Sequence, residues 1–161
     1  MRTPFERAAE VFGPQKGADP PTVRQLTRRL TEFAATLPRD PRGVPMTGCA
    51  GGLSGGLWAQ YDARLEPGAA FVLDALDFDA RMRAARAVIA GEGKIDEQTL
   101  QGKIAGEIAT RARQAGVPCF AIVGTRELDA FGARMLDLQR VLEATDLDEI
   151  AAAAASLADV L

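Results

Sequence analysis

The 161-residue chain contains no histidine. That absence removes His-based triads, histidine general bases and ordinary His-containing zinc sites, so acid–base work falls to Asp, Glu, Lys, Tyr or Cys. Cysteine is scarce: Cys49 and Cys119 lie far apart in small-residue or apolar settings, with no CxxC or metal-type spacing. They read as two buried thiols. No apolar stretch approaches the ~20 residues a membrane helix needs. The opening MRTPFERAAE lacks the apolar segment of a secretion signal. There is no long basic run, and the net charge is −3. Both argue against nucleic acid or an anionic membrane as the main partner. The expectation is a soluble cytoplasmic protein.

Lysine is the other scarcity. Of 19 basic residues only Lys16, Lys94 and Lys103 are lysines, and each touches a glycine, whereas among the arginines only Arg42 does. Lysine is a compact point charge on a flexible stem. Beside glycine it suits a phosphate or carboxylate that approaches the backbone closely.

What is present is enough apolar residue, 47%, for a real core. Residues 1–18 read as irregular, with FGPQKG as a turn. Asp19-Pro20-Pro21 opens a helix, Asp as N-cap and Pro in the first turn. Val23, Leu26, Leu30, Phe33 and Leu37 form its apolar stripe, and Pro38 stops it. Residues 38–47 are a proline-rich loop. Then come Gly48, Gly51, Gly52, Gly55 and Gly56, too many for an ordinary helix interior at roughly 1 kcal/mol each. Either backbones pack closely there or a ligand approaches the backbone. Helix is expected from Leu57 to Leu65, again over 69–76, and once more from a cap at Asp79.

From residue 86 the pattern changes. Apolar strands at 87–90, 119–123 and 138–142 alternate with helices at 102–115, 127–135 and 147–160. That order implies parallel strands with covering helices, an α/β fold.

In such sheets ligands sit beyond the carboxyl ends of strands, and the segment GEGKIDEQT is expected to leave one. Gly91 and Gly93 allow a tight turn and a close ligand. Glu92 and Asp96 can bind Mg²⁺ or accept a proton. Lys94 and Lys103 can neutralise an anion, and the helix start near Gly102 offers N–H groups to phosphate. Two readings stand: a phosphate and magnesium site, or a solvated loop with capping acids. Neither GxxxxGK[ST] nor GxGxxG is present.

The stretch AGEGKIDEQTLQGK resembles, nearly residue for residue, a signature of the bacterial two-domain glycerate kinase family. VFGPQKGADPPTV, GCAGGLSGGLWAQYDARLEPG with FVLDALDFD, and GVPCFAIVG are similar to further family segments, in the expected order. The resemblance runs over residues 8–125 and covers only the later part of the family pattern. It implies that residues 1–80 belong to a helix- and glycine-rich inserted second domain. Residues 86–161 would be the C-terminal part of a Rossmann-like domain, leaving a fold incomplete relative to the family. It also implies ATP-dependent phosphorylation of D-glycerate, with 2-phosphoglycerate as product and ATP and Mg²⁺ as cofactors. On these positions Asp96 would be general base or metal ligand, Glu92 the second carboxylate at the metal, and Lys103 the charge that balances the transferred phosphoryl. Gly91, Glu92, Gly93 and Lys94 would hold substrate or nucleotide. Lys16 is either a solvated turn lysine or reaches the cleft from the other domain. The rival reading is an inactive module that binds a small anion or nucleotide. The truncated chain by itself is expected to self-associate through open strand edges and to show little or no kinase activity.

Overall fold

The computed structural model describes residues 2–100, 102–158 and 160. The chain forms two compact units, Met1–Glu66 and Pro67–Leu161. Sequence reading divides it later, between residues 80 and 86. Helices between residues 67 and 83 pack with the sheet, for reasons given below.

In the first unit the segment expected to be irregular is ordered. It holds a 3₁₀ turn at Phe5–Arg7, helix α1 (Ala8–Phe12) and a second 3₁₀ turn at Pro14–Lys16. Helix α2 (Pro20–Ala34) begins as expected, with the Asp19 carboxylate accepting from the Thr22 N–H at 2.8 Å. Helix α3 spans Leu53–Tyr61, starting ahead of the expected Leu57 and taking Gly55 and Gly56 into its interior. Close packing explains the glycines. Phe5 is fully buried, and a Cβ on Gly52 or Gly55 would meet its ring at 2.9 or 2.5 Å. The chain enters α3 through three left-handed residues, Ala50, Gly51 and Gly52, at φ 53°, 69° and 98°.

The second unit carries helices α4 (Gly68–Ala75) and α5 (Phe78–Arg83), then strand β1 (Val88–Ile95). The short helix α6 (Glu97–Leu100) and α7 (Ile104–Ala115) follow. Strand β2 (Cys119–Arg126), α8 (Ala130–Leu136), β3 (Leu138–Glu143) and α9 (Leu147–Ala158) complete it. The expected end of α9 at residue 160 runs through Asp159, outside the described residues. The sheet has the order β1-β2-β3 with both pairings parallel, Val88 opposite Cys119 and Ala121 opposite Val141. Short apolar strands separated by helices give this outcome because parallel neighbours need a crossover.

Cys119, Ala121 and Val123 of β2 pack against Ala109 and Ala112 of α7, with Met82 of α5 in the same core. The small alanines let α7 lie close on the sheet. Arg111 then pins the preceding helices to it. Its guanidinium donates to Asp74 at 2.6 Å, Asp79 at 3.1 Å and Glu107 at 3.0 Å. That clamp and Met82 explain why residues 68–83 join the sheet unit. Among the described residues no helix is long and apolar enough to cross a membrane.

Candidate active site

The segment GEGKI is strand rather than loop. β1 runs on to Ile95, with Glu92 opposite Val123, Lys94 opposite Thr125 and Ile95 opposite Arg126. Glycine makes the extension possible. A Cβ on Gly124 would lie 2.6 Å from the Gly93 carbonyl oxygen, so these two strand backbones approach more closely than a side chain permits. The chain turns only after Ile95. The Asp96 N–H meets Thr99 Oγ1 at 3.2 Å and the Thr99 N–H donates to the Asp96 carbonyl at 2.9 Å. Thr99 is fully buried. Gly106 of α7 packs directly on its carbonyl, where a Cβ would overlap it. The turn after β1 is thereby locked to the first turns of α7.

Three of the sequence-chosen side chains meet here. Lys103 Nζ lies 3.2 Å from Asp96 Oδ1 and 3.7 Å from Glu92 Oε1. The three side chains are 26%, 19% and 16% exposed in the order Lys103, Asp96, Glu92. Strand β1 fixes Glu92, the α6 turn fixes Asp96, and Lys103 is the N-cap residue of α7 with no side-chain cap bond. Among the described residues Glu92 Oε2 is buried without a hydrogen-bond partner. Burial pushes the Glu92 carboxyl above the ordinary carboxylate range, the nearby Lys103 charge pulls it back, and Asp96 pushes it further up. A helix N-terminus repels a cation, so the two carboxylates are what hold Lys103 in place. The ammonium, the helix N-terminus and two acids together form a compact polar centre at the carboxyl end of β1.

The other chosen residues stand outside this three-residue contact. Lys94 pairs with Glu127 at 2.6 Å, which holds its ammonium pKa up. Gly91 and Gly93 line a cavity of about 810 Å³ together with Glu92 itself, Ile89, Ile122, Gly124 and Ile150. Lys16 lies in the first unit, on a cavity of about 700 Å³ whose walls include Phe12, Leu26 and Leu30. Sequence reasoning did not single out Thr99 and Gly106, which set the geometry of the centre. Their signal, a threonine three residues after an acid and a glycine early in a helix, is too common to select. Gln101 of the signature lies outside the described residues. Among the described residues no three His, Cys, Asp or Glu side chains converge as a metal cage.

A family model described as the glycerate kinase family matches residues 5–160. The chain is 45% identical over 122 residues to the glycerate kinase of Halalkalibacterium halodurans, covering 73% of this chain and 32% of that one. It is 34% identical over 122 residues to the glycerate 2-kinase of Escherichia coli K12, covering 73% of this chain and 32% of that one. A crystal structure of a protein provisionally termed glycerate kinase 2, from Salmonella typhimurium LT2, superposes with a TM-score of 0.52 at 37% identity. That superposition covers 84% of this chain and 36% of the other. The chain thus spans about a third of the length of the curated relatives it matches.

Proposed function

Because the chain belongs to the glycerate kinase family, we propose that it carries one side of a phosphoryl-transfer site, at which ATP phosphorylates the hydroxyl of D-glycerate. The observation that carries this reading is the convergence of Glu92, Asp96 and Lys103 at the N-terminus of α7. Phosphoryl transfer asks a protein for positioning and charge neutralisation more than for covalent chemistry. A site without histidine can supply both. In this reading the uncapped N–H groups of α7 and the Lys103 ammonium receive phosphate oxygens. The Asp96 carboxylate either takes the proton of the attacking hydroxyl or helps to hold a metal.

Two carboxylates, one with an orphaned buried oxygen, fit a Mg²⁺ that arrives on nucleotide phosphates, since Mg²⁺ commonly takes only one or two carboxylates beside them. Glu92 and Asp96 would hold it, and when bound it would neutralise phosphate charge. The strip at Gly91 and Gly93 would accept substrate or nucleotide against bare backbone. Lys94 would reach substrate or nucleotide after leaving Glu127, and Lys16 is assigned to substrate or nucleotide by the family resemblance alone. On the same reading the resemblance implies a family domain division at residues 1–80 and 86–161, action in the cytoplasm and 2-phosphoglycerate as the product.

The test is coupled ADP release by these residues in a full-length family context, with ATP, Mg²⁺ and D-glycerate, and product identification by ³¹P NMR. Glycerate-dependent ADP release with a 2-phosphate product is expected. ADP release indifferent to glycerate would favour the rival anion- or nucleotide-binding module.

A further inference from the structure

We propose that Lys103 is the resident cation of this centre: it occupies the position between Glu92 and Asp96 that a nucleotide-borne divalent cation takes over, and its displacement delivers the ammonium to the phosphates. The proposal rests on the phosphoryl-transfer reading above and deepens it.

One ammonium stands between two carboxylates, at 3.2 and 3.7 Å. The longer distance exceeds hydrogen-bond range, and among the described residues the second oxygen of that same carboxylate is buried with no partner. Lys103 therefore balances Glu92 without satisfying it. A small divalent cation would draw on both acids at shorter range than an ammonium can. The lysine is also held in an unfavourable place. Its backbone is the N-cap of the twelve-residue helix α7, where the helix dipole opposes a cation. Among the described residues the carboxylates are what keep its head there, and its flexible stem lets the head move without moving the helix.

Competition follows. A free divalent cation must displace an ammonium that then has no new partner. A cation carried on a polyphosphate brings that partner with it. Cation and polyphosphate should accordingly bind with positive coupling, and each alone should bind weakly.

The 161-residue chain itself provides the test, because neither readout needs glycerate or turnover. Free Mn²⁺ binding is followed by the electron paramagnetic resonance of the unbound ion. Removing one positive charge at ~4 Å from the carboxylates in Lys103→Met should tighten Mn²⁺ binding at least about tenfold. Lys103→Arg should stay close to wild type, and adding Glu92→Gln to Lys103→Met should abolish the gain. Equal Mn²⁺ affinity in wild type and a natively folded Lys103→Met overturns the proposal. Should that variant fail to fold, the wild type decides. With only three lysines in the chain, reductive ¹³C-methylation gives a resolvable Lys103 resonance. It should move strongly with Mg²⁺ plus tripolyphosphate and little with Mg²⁺ alone. An unmoved resonance under both conditions overturns the proposal. Positive results in both assays without glycerate-dependent ADP release in the family context would instead count against the kinase reading and leave cation exchange standing.

Discussion

Glu92 is a residue whose chemistry departs from what its type would suggest. Its carboxyl binds a proton more tightly in the folded protein, because burial outweighs the pull of Lys103. For a carboxyl raised in this way the stabilising contribution is complete below the unfolded value near ~4.3 and is lost as pH rises through the folded value. Glu92→Gln lacks that loss. Urea midpoints measured in parallel should shift in favour of the variant as pH is raised from about 4 to 7. A difference that stays constant with pH would contradict a desolvated carboxyl. At this scale the residue types were legible in the sequence, since a signature rich in Glu, Asp, Lys and Gly names its own chemistry. Which of them meet was not. The side chains of Lys94 and Lys103 look alike in one dimension, yet Glu127, more than thirty positions downstream, takes the first, and the acids take the second.

Among the elements, the existence of all three strands and of the helices between them was readable from apolar runs and caps. Asp19 and Gly116 behave as their residue types dictate, one capping α2 and the other closing α7 at φ 69°. Several boundaries were not readable, and two of them show why. β1 continues past its apolar run because Gly93 and Gly124 bring two backbones together, and α3 begins early because Phe5 fills the space its glycines leave. Both depend on partners remote in sequence, to which local propensity is blind. Glycines in these helices should accordingly respond to alanine in opposite directions. Gly106→Ala drives a Cβ into the Thr99 carbonyl and should cost ~1–3 kcal/mol, the range of overpacked sites. Gly56→Ala places its Cβ in open space within α3 and should stabilise by ~0.5–1 kcal/mol. Thermal denaturation of the two variants checks both signs. Equal shifts would mean that the α6–α7 contact is loose.

For the molecule as a whole, the parallel sheet has β1 at one end of its order, and Ile89 of that strand is 46% exposed. Phe131 of α8 and Phe71 of α4 are also largely exposed. Open strand edges and apolar patches recruit other chains. Light scattering after size exclusion should show the 161-residue chain associating with itself as its concentration rises. The same chain should release little ADP on its own, because transfer needs groups on both sides of the phosphates at once. A monodisperse monomer with robust glycerate-dependent turnover would refute both expectations.

The proposed phosphoryl transfer requires Asp96 as a working member of the centre with Glu92 and Lys103. The most direct measurement is glycerate-dependent ADP release by wild type and Asp96→Ala, side by side in the full-length family context with folding verified by circular dichroism. The account expects kcat to fall at least ~10²-fold in the variant, the scale of a lost acid–base or positioning group. Turnover at the wild-type rate in Asp96→Ala would contradict it.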